Sequence, residues 1–122
     1  MKYLRMGWLK KIEKELVFES VLFWTGVGSA ALFFENNFLL TAIFVILCGI
    51  RMALYHKKDD IFFFVSGAFL GPLSEAILVQ FGVWQYANPT LFGIPIWLPL
   101  AWGLAIMMIK RLAEVFLEIK IK

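Results

Sequence analysis

Three ionisable residues stand inside otherwise apolar stretches of this chain: Glu19, Arg51 and Glu75. A charge in lipid is costly and usually faces a partner or a wet cavity. Glu19 and Arg51 read most simply as a pair. Each lies about one helical turn from the same end of its apolar run, and a tight turn joins the two runs. They would then pack antiparallel at matching depth and form a structural ion pair. Glu75 has no basic residue at its depth. An unpaired carboxyl in a poor dielectric favours its neutral form and can serve as an acid. Gly67, Gly71 and Gly82 fall on or near its face, and Pro72 interrupts the helical hydrogen bonding beside it. Missing side chains and a kink would leave room next to the carboxyl. The competing reading is a Glu75 that merely bonds a neighbouring helix.

A second set of residues surrounds Glu75 in this reading. Gln80, Trp84, Tyr86, Asn88, Trp97 and Trp102 all fall near one end of the flanking apolar runs. They are expected to bind a ligand, although tryptophans there can also form an interfacial belt. Two prolines, Pro95 and Pro99, enter the last run and free backbone carbonyls. Irregular backbone in a membrane is tolerated only where it is buried in protein or lines a cavity.

These groups need helices to position them. Of the 122 residues, 61% are apolar and 17% aromatic, while only 17% are charged. A soluble domain carries about 25% charge. The composition excludes a soluble enzyme, a disordered chain and a disulfide scaffold; Cys48 is the single cysteine. It predicts an all-α polytopic membrane protein. One domain over 1–122 holds four transmembrane helices, at about 16–34, 38–55, 61–83 and 96–114. Asn36 or Asn37 can cap the second helix, and Asp59 or Asp60 the third. An amphipathic segment, 1–15, places Leu4, Trp8, Ile12 and Leu16 on one stripe and lysines opposite, as an interfacial helix would. Glu19 argues against a cleaved signal peptide.

All 12 lysines and arginines fall before the first helix, around the loop between the second and third, or after the apolar part of the fourth. The positive-inside rule then places both termini in the cytoplasm, in a multi-pass protein of the plasma membrane. The net charge of +3 reads as orientation, not as nucleic-acid binding. One histidine, His56, and one cysteine cannot build a His/Cys metal site. Phosphate-binding and nucleophile-elbow motifs are missing, and no cofactor is expected.

The stretch Ser74-Glu75, Gly82-Val83-Trp84-Gln85-Tyr86 and Pro89 to Trp102 resembles the last block of the carotenoid-biosynthesis membrane family, which includes the bisanhydrobacterioruberin hydratases. The shared features are a membrane Glu, a Gly-x-x-x-Tyr turn and the Gly93-Ile94-Pro95 to Pro99 to Trp102 pattern. The chain also resembles small four-helix bacterial membrane proteins. The resemblance covers under a third of the chain. It implies an isoprenoid or carotenoid ligand in an outer-leaflet pocket around Glu75. There Glu75 would protonate a double bond, in hydration or cyclisation, and aromatic faces would steady the cation. Two other classes stay open. One is a non-catalytic subunit of a larger membrane complex. The other is a proton-coupled small transporter assembled as a homo-oligomer.

Overall fold

In the computed structural model the backbone is described for residues 2–55 and 57–121, and the side chains for 13–54 and 57–117. Four helices follow one another: α1 (Lys2–Phe33), α2 (Asn37–Tyr55), α3 (Asp60–Gln80) and α4 (Leu98–Ile121). The fold is all-α. The stretch expected to lie on the membrane surface continues as helix into α1, and its stripe residues Leu4, Trp8 and Ile12 lie outside the described side chains.

Three segments are long and apolar enough to cross a membrane: Glu13–Phe33, Asn37–Leu54 and Asp60–Gln80. At 1.5 Å per residue the 21 residues of α3 extend about 31 Å, close to the hydrocarbon thickness of a bilayer. Their outward faces are apolar, with Trp24, Val45, Ile46, Phe62, Phe69 and Leu73 all exposed. The fourth helix does not meet that standard of apolarity. Its apolar stretch ends at Ile109, and Lys110, Arg111 and Glu114 follow within the same helix.

The arrangement explains why α4 can carry them. α4 packs against each of the other three helices, whereas α3 packs on α4 and not along α1 or α2. A central helix is shielded by its neighbours, so Lys110 and Arg111 are buried in protein. Close packing holds α3 to α4. A Cβ at Gly67 would come within 2.6 Å of Ile106, and one at Gly71 would collide with the Trp102 ring. Gly103 on α4 receives Phe64 of α3 in the same way. Small residues let the two backbones approach.

Each terminus has a local cause. Asn36 caps α2, its side-chain oxygen accepting from Leu39 N at 3.0 Å. At the start of α3 the expected aspartate cap is missing: Asp59 makes no side-chain cap bond. Asp60 instead accepts from Lys57 N at 2.8 Å. α3 runs unbroken through Pro72 and ends earlier than the sequence suggested. Gly82 adopts φ +77°. Its N–H bonds Val79 O, and Val83 N bonds Leu78 O, which together make a Schellman stop. Gly82 therefore ends the helix and takes no part in the glycine face beside Glu75.

The segment 81–97 is irregular but tied down. Phe92 and Gly93 take successive left-handed conformations, φ 55° and 81°, and turn the chain so that Leu91 pairs with Ile94. A Cβ at Gly93 would meet Val79 at 2.5 Å, so this turn rests on the last turn of α3. The opposite edge of the segment is fastened to the α1–α2 turn. Asn37 donates to Asn88 O at 2.7 Å and to Thr90 Oγ1 at 3.0 Å, and Asn88 donates to Glu35 O at 2.8 Å. Pro99 falls in the first turn of α4, where a missing N–H costs little.

Candidate functional site

The geometry divides the chemistry-bearing residues into two groups and sets an apolar cavity between them. The first group gathers around Glu75, which is half-buried on α3. Tyr86 Oη donates to its Oε1, and Trp102 Nε1 donates to its Oε2. The carboxyl expected without a partner thus has one on each oxygen. The donors come from different elements, the loop and α4, so neither is visible as a partner from local spacing. Burial, and then the neighbouring carboxylate, raise the Tyr86 phenol above its ordinary pKa and keep its proton in place. Tyr86 also meets Trp97 edge to face, with ring centroids 6.5 Å apart.

Trp97 lies deeper. It stacks on Phe44 of α2 at 5.5 Å, with planes only 8° apart, and its Nε1 donates to Asn37 Oδ1 at 3.3 Å. The other residues expected near Glu75 serve the loop. Gln80 donates to Phe92 O at 3.2 Å, and Asn88 makes the fastening bonds already described. Trp84 is 44% exposed. The structure therefore brings Glu75, Tyr86, Trp97 and Trp102 together, while the side chains of Gln80 and Asn88 bond backbone oxygens of Phe92 and Glu35.

The second group lies at the other end of the bundle, here called the basic end. Arg51 Nε is 2.6 Å from Glu19 Oε1, as a pair at matched depth requires. The pair is part of a larger network. Arg51 Nη1 also reaches Asp60 Oδ2 at 3.1 Å, and Lys110 Nζ reaches Asp60 Oδ1 at 2.7 Å. Glu19, Arg51, Asp60 and Lys110 come from α1, α2, α3 and α4 in turn, and all four are buried. Two positive and two negative groups balance formally. The rim is wetter: Lys110 reaches Asp59 at 2.6 Å, and Lys57 reaches Glu114 at 3.0 Å. The hydrogen bond from Lys110 holds the exposed Asp59 carboxyl below its ordinary pKa.

Sequence reasoning missed Asp60 and Lys110 as buried partners. Asp60 seemed a cap, and Lys110 seemed to follow the last span. The usable signal was depth: Asp60 opens one helix of an antiparallel pair, and Lys110 ends the apolar part of the other.

The cavity has a volume of about 260 Å³ and lies between α1, α2 and α4. Leu22, Gly26 and Ala30 form its α1 wall, and Phe44 contributes from α2. Trp97, Ala101, Trp102, Ala105 and Met108 complete it from the α4 side. Among the described residues Glu19 is its one charged lining residue. Gly26 and Ala30 on α1 and Ala101 and Ala105 on α4 fail to fill the gap between the two helices. Glu75 is not in this wall. The expected pocket lay between the third and fourth helices, but there Trp102 and Ile106 occupy the glycine face. Trp102 belongs to both features: it lines the cavity, and its N–H holds Glu75. Among the described residues no three His, Cys, Asp or Glu side chains are grouped to hold a metal.

No protein-family model, characterised protein or solved structure matches this chain.

Proposed function

We propose that this chain is a four-span protein of the plasma membrane that holds a lipophilic, isoprenoid-type molecule in the cavity between α1, α2 and α4. The observation that carries the reading is the lining of that cavity, apolar along its length, with Trp97 and Trp102 among its residues. Ligand sites are typically concave and mostly apolar with a few placed polar groups. α4 spans in this reading because its charges are enclosed by the other helices. The basic end, with both termini, faces the cytoplasm.

Binding has firmer support than acid catalysis. Both oxygens of Glu75 accept hydrogen bonds, and Trp102 stands between the carboxyl and the cavity. A proton donor must come within hydrogen-bond reach of the atom that it protonates. In this reading Glu75 is a positioning residue that fixes the Trp102 ring as a wall. The resemblance to the carotenoid-biosynthesis family adds support for the ligand class.

A second reading, a subunit of a larger membrane complex, draws on α3. That helix packs along α4 and leaves Phe62, Val65, Phe69 and Leu73 outward. Native mass spectrometry of the protein released from membranes separates the two. A single lipophilic adduct of fixed mass per chain is expected. A bare chain that leaves the membrane only with a larger protein partner would contradict the ligand reading and favour the subunit.

A further inference from the structure

The cavity is long and narrow. Its lining runs from Glu19 to Ala30 on α1 and from Trp97 to Met108 on the α4 side. Either run covers roughly 16 Å at the helical rise. A volume of about 260 Å³ drawn out over that length leaves a bore about one hydrocarbon chain wide. A two-chain bilayer lipid cannot enter it whole.

Its two ends differ chemically. At the far end the polar groups are committed, since Trp97 Nε1 donates to Asn37 and Trp102 Nε1 to Glu75. At the basic end stands Glu19, buried, in contact with Arg51 through Oε1. A carboxylate offers about four acceptor positions, so acceptor capacity remains there. The buried charges around it already balance: Glu19 and Asp60 against Arg51 and Lys110, and the neighbouring Arg111 against Glu15. A bound cation or anion would upset that balance at a site with little water, and burying an unpaired charge is expensive. A neutral hydrogen-bond donor would not.

We infer that the occupant is a single-chain long-chain alcohol lying with its hydroxyl at Glu19 and its tail toward Trp97. This rests on the ligand reading above and narrows it: the head group is a neutral donor, and it points to the basic end. The chain can be saturated or isoprenoid, since the bore selects width and the carboxylate selects the head.

The test uses the full chain in nanodiscs, with tryptophan quenching by brominated dodecanols. The extended dodecyl chain matches the bore. Dodecanol, dodecane and dodecanoate compete, with concentrations expressed per lipid. A hydrogen bond to a charged group predicts that dodecanol displaces the probe at roughly tenfold lower concentration than dodecane, or better. Dodecanoate should compete less well than dodecanol. Bromine at the tail end should quench more than bromine beside the hydroxyl, and Trp97→Phe should reduce that difference, leaving the part that Trp102 reports. Equal competition by dodecane and dodecanol would overturn the head-group inference and leave the cavity reading standing. So would a preference for dodecanoate, or the reverse order of quenching. If no brominated chain quenches above its level in Ala105→Leu, whose bore is blocked, the cavity reading itself fails.

Discussion

Trp102 holds Glu75 with its indole N–H and also lines the apolar cavity. One side chain thus joins the carboxylate of α3 to the space between α1, α2 and α4. The consequence is that Glu75 bears on the cavity through the orientation of Trp102.

That arrangement predicts a split between two substitutions. Glu75→Gln keeps an oxygen to accept from Trp102, and its amide can still meet the Tyr86 oxygen. Stability should fall by under about 1 kcal/mol. Glu75→Leu strands both donors and should cost about 1–3 kcal/mol. Chemical unfolding in detergent measures both. Equal losses would show that the two hydrogen bonds do not set the position of Trp102.

The basic end predicts an unequal cycle. Arg51 contacts both Glu19 and Asp60, so Arg51→Ala takes a cation from two buried carboxylates, of which Asp60 keeps Lys110, whereas Glu19→Ala leaves Arg51 with Asp60. Arg51→Ala should destabilise by roughly 3–5 kcal/mol and Glu19→Ala by less. The double substitution should recover part of the Arg51→Ala loss, because the Glu19 carboxylate that lost Arg51 is then gone. Additive losses would mean that the two residues act independently.

Glycines supply a packing test. A Cβ at Gly71 collides with the Trp102 ring, while one at Gly49 meets nothing within 4 Å. Gly71→Ala should therefore cost about 1–3 kcal/mol by overpacking. Gly49→Ala should be neutral or stabilising by up to about 1 kcal/mol, since alanine is the better helix former. Thermal unfolding of the two variants separates them. A harmless Gly71→Ala would show that α3 and α4 do not approach this closely.

The ion pair was legible in the sequence because its depth could be counted from a short turn, and Asn36 could be recognised as a cap from its place before an apolar run. What could not be read depended on contacts across the chain. Nothing near Glu75 in sequence announces that Tyr86 and Trp102 converge on it from a loop and another helix. Gly82 looked like one more small residue on a helix face because φ is invisible in a sequence. Lys110 and Arg111 looked like the flank of a span, since enclosure by three other helices is a property of the assembled bundle. The cavity arises from small residues of α1 and α4 facing each other, and the pairing of those helices was not evident from either one.

Orientation has its own test. Lys57 is exposed at the basic end, and Phe92 is exposed at the opposite one. In a background in which Cys48 is replaced by Ser, Lys57→Cys should react with an impermeant thiol reagent only from the cytoplasmic side, and Phe92→Cys only from outside. Labelling of both from the same side would contradict the single span, α3, between them and the four-span reading with it.

The account turns on whether the cavity between α1, α2 and α4 holds a ligand. Ala105 lines it, and a leucine there would extend into the empty bore. Organic extraction and mass spectrometry of equal amounts of purified wild-type and Ala105→Leu protein test this most directly. The predicted result is a single-chain lipophilic molecule near one per wild-type chain, reduced at least tenfold in a variant whose thermal stability is unchanged or higher because a void has been filled. The same molecule recovered in the same amount from both proteins, or none from the wild type, would contradict the account.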